Sequence, residues 1–376
     1  MAASRQRREV LLDVRCLQGP SAERGIGTYA RGLTRALSEA GFEYSVLVDE
    51  DLGPVDLPPG VTTIHRVRRR SHGRFAGYED AIALRADLAR IRPALYHALT
   101  LSLPSSAPCP VAVTVHDLIP FVMPRDYPWM RRERALAMRQ FRHADAVIAV
   151  SRSTANDLQR IARVDPQRIT VIPEGVMRRQ PATEAELAAL RVRQGLPQRF
   201  VLAVGTFDPR KRIDLLARVV RRLREDHDVG LVIAGFQGNF ASVVERSLRD
   251  AGITEHSRLL GHVADDELAG LYQMTECLLF SSAYEGFGLP PLEGMACGAP
   301  VAVFDNSSLR EVVGDAGLVI ADGDEAEMAA AVSRLLDDRQ EREHRAQMGR
   351  DRAASFTWER AAAATLRVYE MVLERR

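Results

Sequence analysis

Short apolar runs alternate with amphipathic stretches along most of this chain. "EVLLDV" (9–14) reads as a buried strand, "GTYARGLTRALSEA" (27–40) as a helix and "YSVLVDED" (44–51) as a second strand. Similar runs recur at "ALYHA" (94–98), "PVAVTVHD" (110–117), "ADAVIAVS" (144–151) and "RITVIPEG" (168–175), with helical patterns between most of them. Near-continuous apolar strands separated by helices predict a parallel sheet covered on both faces. Neither a sandwich nor a helical bundle fits.

The strand signal lapses over 176–198, "VMRRQPATEAELAALRVRQGLPQ", where Thr183 followed by Glu186 predicts a capped helix. Alternation then restarts with "RFVLAVG" (199–205), "VGLVIAG" (229–235), "SRLLG" (257–261), "CLLFSS" (277–282) and "PVAVFD" (300–305). The expected organisation is an α/β domain over 1–175, a linker region over 176–198, a second α/β domain over 199–356 and a terminal helix over 357–376. Open α/β sheets bind ligands at the C-terminal ends of their strands, so the loops leaving those ends are where chemistry is sought.

Composition narrows the classes. A length of 376 residues exceeds one ordinary core and agrees with two domains. A formal charge of +1 gives no argument for nucleic-acid binding, and no apolar run is long enough to span a membrane. The basic N-terminus leads into an apolar part that ends at Asp13, too short for a signal peptide. Four scattered cysteines, Cys16, Cys109, Cys277 and Cys297, point to a reducing compartment and form no metal-ligand spacing. The expected location is cytoplasmic. The basic stretch "HRVRRRSHGR" (65–74) reads as a solvated loop or, alternatively, as a contact with a phosphorylated acceptor or, peripherally, with anionic lipid at the inner face of the membrane.

Four segments could carry chemistry. "RGIGTYA" (24–30) sets Gly25, Ile26 and Gly27 ahead of a helix, as a phosphate-approaching loop, an ordinary glycine turn or, with Asp49, a dinucleotide fingerprint. The ten residues "RCLQGPSAER" between strand and glycines weaken the last reading, because a dinucleotide turn follows its strand at once. "VTVHDLIPF" (113–121) ends a strand on His116, a cleft residue or a histidine bonded within a turn. "VGTFDPRKRIDLL" (204–216) puts Arg210, Lys211 and Arg212 at a helix N-terminus, the unfavourable end for cations unless an anion binds there; a solvated basic turn is the other reading. "SSAYEGFGLPPLEGMACGAPVAV" (281–303) leaves a strand with Glu285 in its loop and Glu293 in the first turn of the next helix, where an acid is also simply stabilising. The amides of Phe287, Gly288 and Leu289 lie ahead of that helix as an anion or hydroxyl site.

The last segment resembles the two-glutamate signature of retaining GT-B glycosyltransferases of family 4. "RGIGTYARGL", "TVHDLIPFVMP", "VIAVSRSTANDLQR", "RITVIPEGV", "LLGHVADDELAGLY" and "SFTWERAA" resemble that family too, in its order, so the likeness covers nearly the whole chain. The resemblance implies a GT-B fold: two Rossmann-like domains facing across a cleft, with the C-terminal helix crossing back to the N-terminal domain. It implies Arg210 and Lys211 on the donor's diphosphate, Gly25, Ile26 and Gly27 closing on the same phosphates, and Glu293 on the ribose. It further implies Val263 near the base, Glu285 on the transferred sugar with Phe287, Gly288 and Leu289 beside it, and His116 at the reaction centre. Glu285 would position substrate and form no covalent bond.

The implied reaction is transfer of a hexose with retention, without a metal or other cofactor. The resemblance favours GDP-mannose over UDP- and dTDP-sugars, with a saccharide or lipid-linked acceptor. The sequences "DHD" (226–228), ahead of a strand, and "DGD" (322–324), in a turn after the last strand-like run, are poor candidates for a metal-binding DxD. An NAD(P)-dependent oxidoreductase is the distant alternative; it would leave the Arg210–Lys211 turn and both glutamates unexplained.

Overall fold

The computed structural model describes residues 9–19, 21–68, 76–127, 130–177, 179–206, 208–235 and 240–375. The chain divides into two compact units, Met1–Gly175 with Phe356–Arg376, and Val176–Ser355. Among the described residues no helix is long and apolar enough to cross a membrane.

The first unit holds seven strands: β1 (Val10–Asp13), β2 (Tyr44–Asp49), β3 (Val61–Val67), β4 (Leu95–Ala98), β5 (Val111–Val115), β6 (Ala146–Ala149) and β7 (Ile169–Val171). They form one sheet in the order β3-β2-β1-β4-β5-β6-β7, and every neighbouring pair is parallel. The central strands β1, β4, β5 and β6 are buried along their whole length, as expected of a sheet covered on both faces. Leu11, Leu47, Tyr96, Val113, Val147 and Phe141 belong to its core. The order reverses between β1 and β4, so the loops leaving these strands flank the crevice that open α/β sheets use for ligands.

The helix Trp358–Glu374 belongs to this unit. Its buried positions, Trp358, Ala361, Ala362, Thr365, Val368, Tyr369 and Val372, recur at helical spacing and make one apolar stripe. Trp358 sets the closeness of the contact. A Cβ added at Gly32 or Gly175 would come within 2.2 or 2.4 Å of it, so only glycine fits at either place.

The second unit holds β8 (Phe200–Val204), β9 (Gly230–Ala234), β10 (Ser257–Gly261), β11 (Cys277–Phe280), β12 (Val301–Phe304) and β13 (Leu318–Ile320). This sheet is also parallel, in the order β10-β9-β8-β11-β12-β13, with its reversal between β8 and β11. The helix Ile213–Leu223 buries Leu216, Val220 and Leu223 into the same core as Val201, Leu231 and Phe304. Within 176–198 the helix Glu184–Gln194 carries the capping box: Thr183 Oγ1 accepts from the Glu186 amide, and Glu186 Oε2 accepts from the Thr183 amide at 2.7 Å. Its Leu190 is buried and packs on Gly270, so this segment clusters with the second unit.

Two strands lack a sequence signal. β3 is an edge strand with mostly exposed side chains, and β13 is three residues long. Of the basic stretch 65–74, residues 69–74 lie outside the described residues. Arg68 pairs with Glu50 at 2.6 Å and Asp51 at 3.4 Å.

Candidate active site

In the second unit the loops leaving β8 and β11 meet at the reversal of strand order. Asp208 opens a short 3-10 turn, Pro209–Lys211, by accepting the Arg210 amide at 3.1 Å. Arg212 follows in the left-handed region (φ 46°, ψ 51°) and leads into the helix Ile213–Leu223. Its guanidinium donates to the carbonyls of Ser281 (2.7 Å) and Ser282 (3.2 Å) and to Asp322 Oδ1 (2.5 Å). Arg212 therefore pins the β8 loop to the β11 loop. Asp322, from "DGD", is taken up in the same anchor. The row of three cations divides: Arg212 is structural, while Arg210 and Lys211 converge on Glu285.

Arg210 Nη1 donates to Glu285 Oε1 at 2.5 Å and to the Tyr284 carbonyl at 3.0 Å. Lys211 Nζ donates to the same Oε1 at 2.7 Å and lies 4.3 Å from the centre of the Phe280 ring. The three side chains are only 10%, 8% and 13% exposed. Burial alone would raise the Glu285 carboxyl, but Arg210 and Lys211 outweigh it and hold it at about 2. Burial is the largest influence on Lys211 and leaves its ammonium below the usual lysine value despite Glu285. Two cations sharing one carboxylate oxygen make a site where a further anion is electrostatically favoured.

The Glu285 loop is fastened from β12. Ser307 Oγ accepts the Glu285 amide at 2.9 Å, and Ser308 Oγ donates to the carbonyls of Glu285 (3.0 Å) and Phe287 (2.5 Å). Gly288 then takes φ 119°, a conformation that requires glycine, and begins the helix Leu289–Cys297 with Pro290 in its first turn. Phe287 and Leu289 are buried beside it. Glu293 is the fifth residue of this helix, just past the first turn in which the sequence places it, because the helix already starts at Leu289, ahead of both prolines. A stabilising effect of the first turn therefore does not explain Glu293. Tyr272 Oη donates to Glu293 Oε2 at 3.3 Å. Nearby, Arg179 bridges Asp265 (2.7 Å) and Asp266 (3.0 Å). Val263 is buried in the loop that leads from β10 to the helix Asp265–Met274.

In the first unit His116 stands just past β5. Its Nδ1 lies 3.2 Å from Glu174 Oε1 and its Nε2 3.0 Å from the Leu99 carbonyl. The ring meets the Tyr29 ring edge to face, centroids 4.7 Å apart. Burial works to lower the His116 pKa, but the hydrogen bond and charge of Glu174 outweigh it and leave it above the usual histidine value. Behind it Tyr29 Oη, Thr114 Oγ1, His97 and Tyr369 Oη form a buried chain, at 3.1, 2.9 and 2.6 Å. Fully buried, His97 is held down at about 3 and stays neutral. The chain ties the sheet to the terminal helix.

Gly25, Ile26 and Gly27 begin the helix Gly25–Glu39. A Cβ at Gly27 would lie 2.0 Å from the Ala22 carbonyl oxygen, so glycine is needed for the preceding loop to fold back. The Gly27 amide donates to the Ser21 carbonyl at 3.1 Å. At the end of β1, Asp13 accepts from Arg15 and from Tyr96 Oη, both at 2.7 Å, and Arg15 also reaches Asp80 at 3.1 Å. Neither this cluster nor Glu174 was singled out in the sequence. The one available signal for Glu174 was an acid just after a strand, in "VIPEG".

Comparison with known proteins supplies the family. Residues 24–179 match Glycosyltransferase Family 4, and residues 190–352 match Glycosyl transferases group 1. O-antigen chain mannosyltransferase B of Escherichia coli is 29% identical over 374 residues, covering 93% of this chain and 96% of that relative. An MMP alpha-(1->4)-mannosyltransferase of Mycolicibacterium hassiacum is 31% identical over 240 residues, 62% of this chain and 56% of that relative. Among solved structures, sucrose-phosphate synthase of Thermosynechococcus elongatus aligns with a TM-score of 0.78 at 21% identity, over 98% of this chain and 100% of that one. HepE of Anabaena, crystallised with UDP and glucose, aligns with a TM-score of 0.77 at 18% identity, over 97% and 100%. At these identities the structural likeness speaks to the fold, while the two family matches span both units. The chain belongs to the group 1, family 4 glycosyltransferases and has their GT-B type of fold, built on two Rossmann-like parallel sheets.

Proposed function

We propose that this glycosyltransferase moves a hexose from a nucleotide sugar to a hydroxyl of a saccharide or lipid-linked acceptor, with retention at the anomeric carbon and without a metal. The observation that carries this reading is the convergence of Arg210 Nη1 and Lys211 Nζ on one sheltered oxygen of Glu285. Cleaving a nucleotide sugar places charge on the departing diphosphate. Fixed cations in a water-poor site stabilise that charge without reorganising. Arg210 and Lys211 would bind the diphosphate, with Glu285 then released toward the sugar hydroxyls and Glu293 holding the ribose. In this proposal Glu285 positions the sugar through its hydroxyls and forms no covalent bond with it. The roles of Gly25, Ile26, Gly27, Val263, Phe287, Gly288, Leu289 and His116 as donor or sugar contacts belong to the same proposal.

GDP-mannose is the favoured donor, because a mannosyltransferase aligns over nearly the full length of both chains. A UDP- or dTDP-sugar is the second reading; HepE, with UDP and glucose bound, shares the fold. A panel of GDP-, UDP- and dTDP-sugars read by thermal shift separates these donors, since a ligand that binds the native state raises its melting temperature. Stabilisation by GDP-mannose alone supports the first, and stabilisation by none overturns both. NMR of the transferred sugar's anomeric proton, with and without EDTA, tests retention and metal independence.

A further inference from the structure

Both ring nitrogens of His116 face acceptors. Nδ1 is directed at the Glu174 carboxylate and Nε2 at the Leu99 carbonyl, which can only accept. A neutral imidazole carries one N–H and would leave one contact as two facing lone pairs. The imidazolium satisfies both. We propose that Glu174 keeps His116 doubly protonated, so that His116 is a fixed positive charge of the first unit with no nitrogen lone pair to accept a proton, and that Glu174 is its positioning residue.

The surroundings support this from every side. Glu174 and His116 are 4% and 11% exposed, so little water competes for their contact. Asp117, the next residue, adds negative charge and is itself held by the Ile119 amide at 2.9 Å. Tyr29 packs its ring on the imidazole, and its hydroxyl is occupied with Thr114. His97 and His116 would repel each other if both were charged; the His97 nitrogens are taken by Thr114 and Tyr369 and it stays neutral, which removes that repulsion. Burial works against the charge, and the paired carboxylate outweighs it. The alternative arrangement, a protonated Glu174 donating to a neutral ring, forfeits the charge-assisted bond in a sheltered place.

The consequence is chemical. A histidine at a reaction centre is commonly assigned as a general base, and this one has no free nitrogen for that work. It can offer only a positioned positive charge. That His116 faces a substrate at all rests on the functional reading above; its protonation state does not.

The test is long-range ¹H–¹⁵N NMR of the ring nitrogens in the full-length protein, with His116 assigned by the signals lost in His116→Asn. Two protonated nitrogens are expected at pH 7, with a titration midpoint above the ordinary histidine value of about 6.5. In Glu174→Gln, which keeps the shape and removes the charge, the midpoint should fall by at least one pH unit, about tenfold in acidity. A single protonated nitrogen at pH 7 in the unmodified protein, or an unchanged midpoint in Glu174→Gln, overturns the proposal. If Glu174→Gln does not fold, the unmodified protein's spectrum decides, and Glu174→Asp, which keeps the charge, should preserve the imidazolium. Transfer activity measured alongside keeps the two readings separate. An imidazolium in a protein that transfers no sugar sinks the functional reading alone; a neutral His116 in an active enzyme sinks this one alone.

Discussion

Lys211 and Glu285 form a sheltered ion pair at 2.7 Å that ties the loop leaving β8 to the loop leaving β11. Arg210 shares the same carboxylate oxygen, so removing the acid leaves two nearly buried cations without their common partner. Losing one partner of a buried pair costs about 3 kcal/mol or more. Glu285→Gln should therefore lower the melting temperature and also gain more stabilisation from added nucleoside diphosphate than the parent does, because the anion supplies the missing charge. Equal shifts in both proteins would count against a diphosphate at this place.

The pair also fixes a pH dependence. Glu285 is held at about 2 against an ordinary 4.5, so between these values the unfolded chain binds the extra proton. Its stabilisation is fully present above about 4.5 and is lost as pH falls toward 2. The melting-temperature gap between the parent and Glu285→Gln should accordingly be widest near neutral pH and shrink across that window, where protonated Glu285 comes to resemble glutamine. A gap that stays constant down to pH 2.5 would show that the carboxylate is not held this way.

Arg212 combines a strained backbone with an anchoring side chain. Replacing it by alanine removes three hydrogen bonds and keeps φ 46°, whereas glycine removes the bonds and relieves the conformation. Arg212→Ala should destabilise the protein by roughly 1–3 kcal/mol, the worth of hydrogen bonds made by a charged group. Arg212→Gly should do so by about 1 kcal/mol less. Urea denaturation of the two variants decides it; a glycine variant less stable than the alanine variant would contradict the reading of strain.

Glu293 lies in the second turn of its helix, with Tyr272 Oη at 3.3 Å. Its proposed work is on the donor's ribose and not on the bond that breaks. Glu293→Ala should weaken donor binding about tenfold, the loss of one hydrogen bond from a charged acceptor, and leave turnover at saturating donor nearly intact. A variant whose KM for the donor is unchanged while its kcat collapses would place Glu293 at the reaction centre instead.

Much of this molecule is legible in its sequence for physical reasons. Buried parallel strands need apolar residues on both faces, so runs such as "FVLAV" and "VAVTV" announce themselves. The edge strand β3 needs no such run and gave no signal. At the site, residue type and order pointed to Arg210, Lys211 and Glu285. Sequence order could not show that Arg212 turns away into an anchor, because its left-handed backbone and distant carbonyl partners are set by the tertiary fold. Glu293 falls just past the first turn, not within it, because the helix starts at Leu289, ahead of both prolines. Glu174 lies 58 residues beyond His116 along the chain, and only the parallel pairing that brings β5, β6 and β7 side by side puts the loops after β5 and β7 close enough for the two to meet.

The central claim, that Arg210 and Lys211 hold the diphosphate of a nucleotide, can be measured without knowing the acceptor. Isothermal titration with GDP, and with UDP and dTDP beside it, should show one nucleoside diphosphate binding the parent protein. Lys211→Ala, still folded by circular dichroism, should bind that nucleotide about 10- to 100-fold more weakly, the worth of one charge-assisted hydrogen bond. Undiminished affinity in Lys211→Ala, or no binding of any of the three by the parent, would contradict the account.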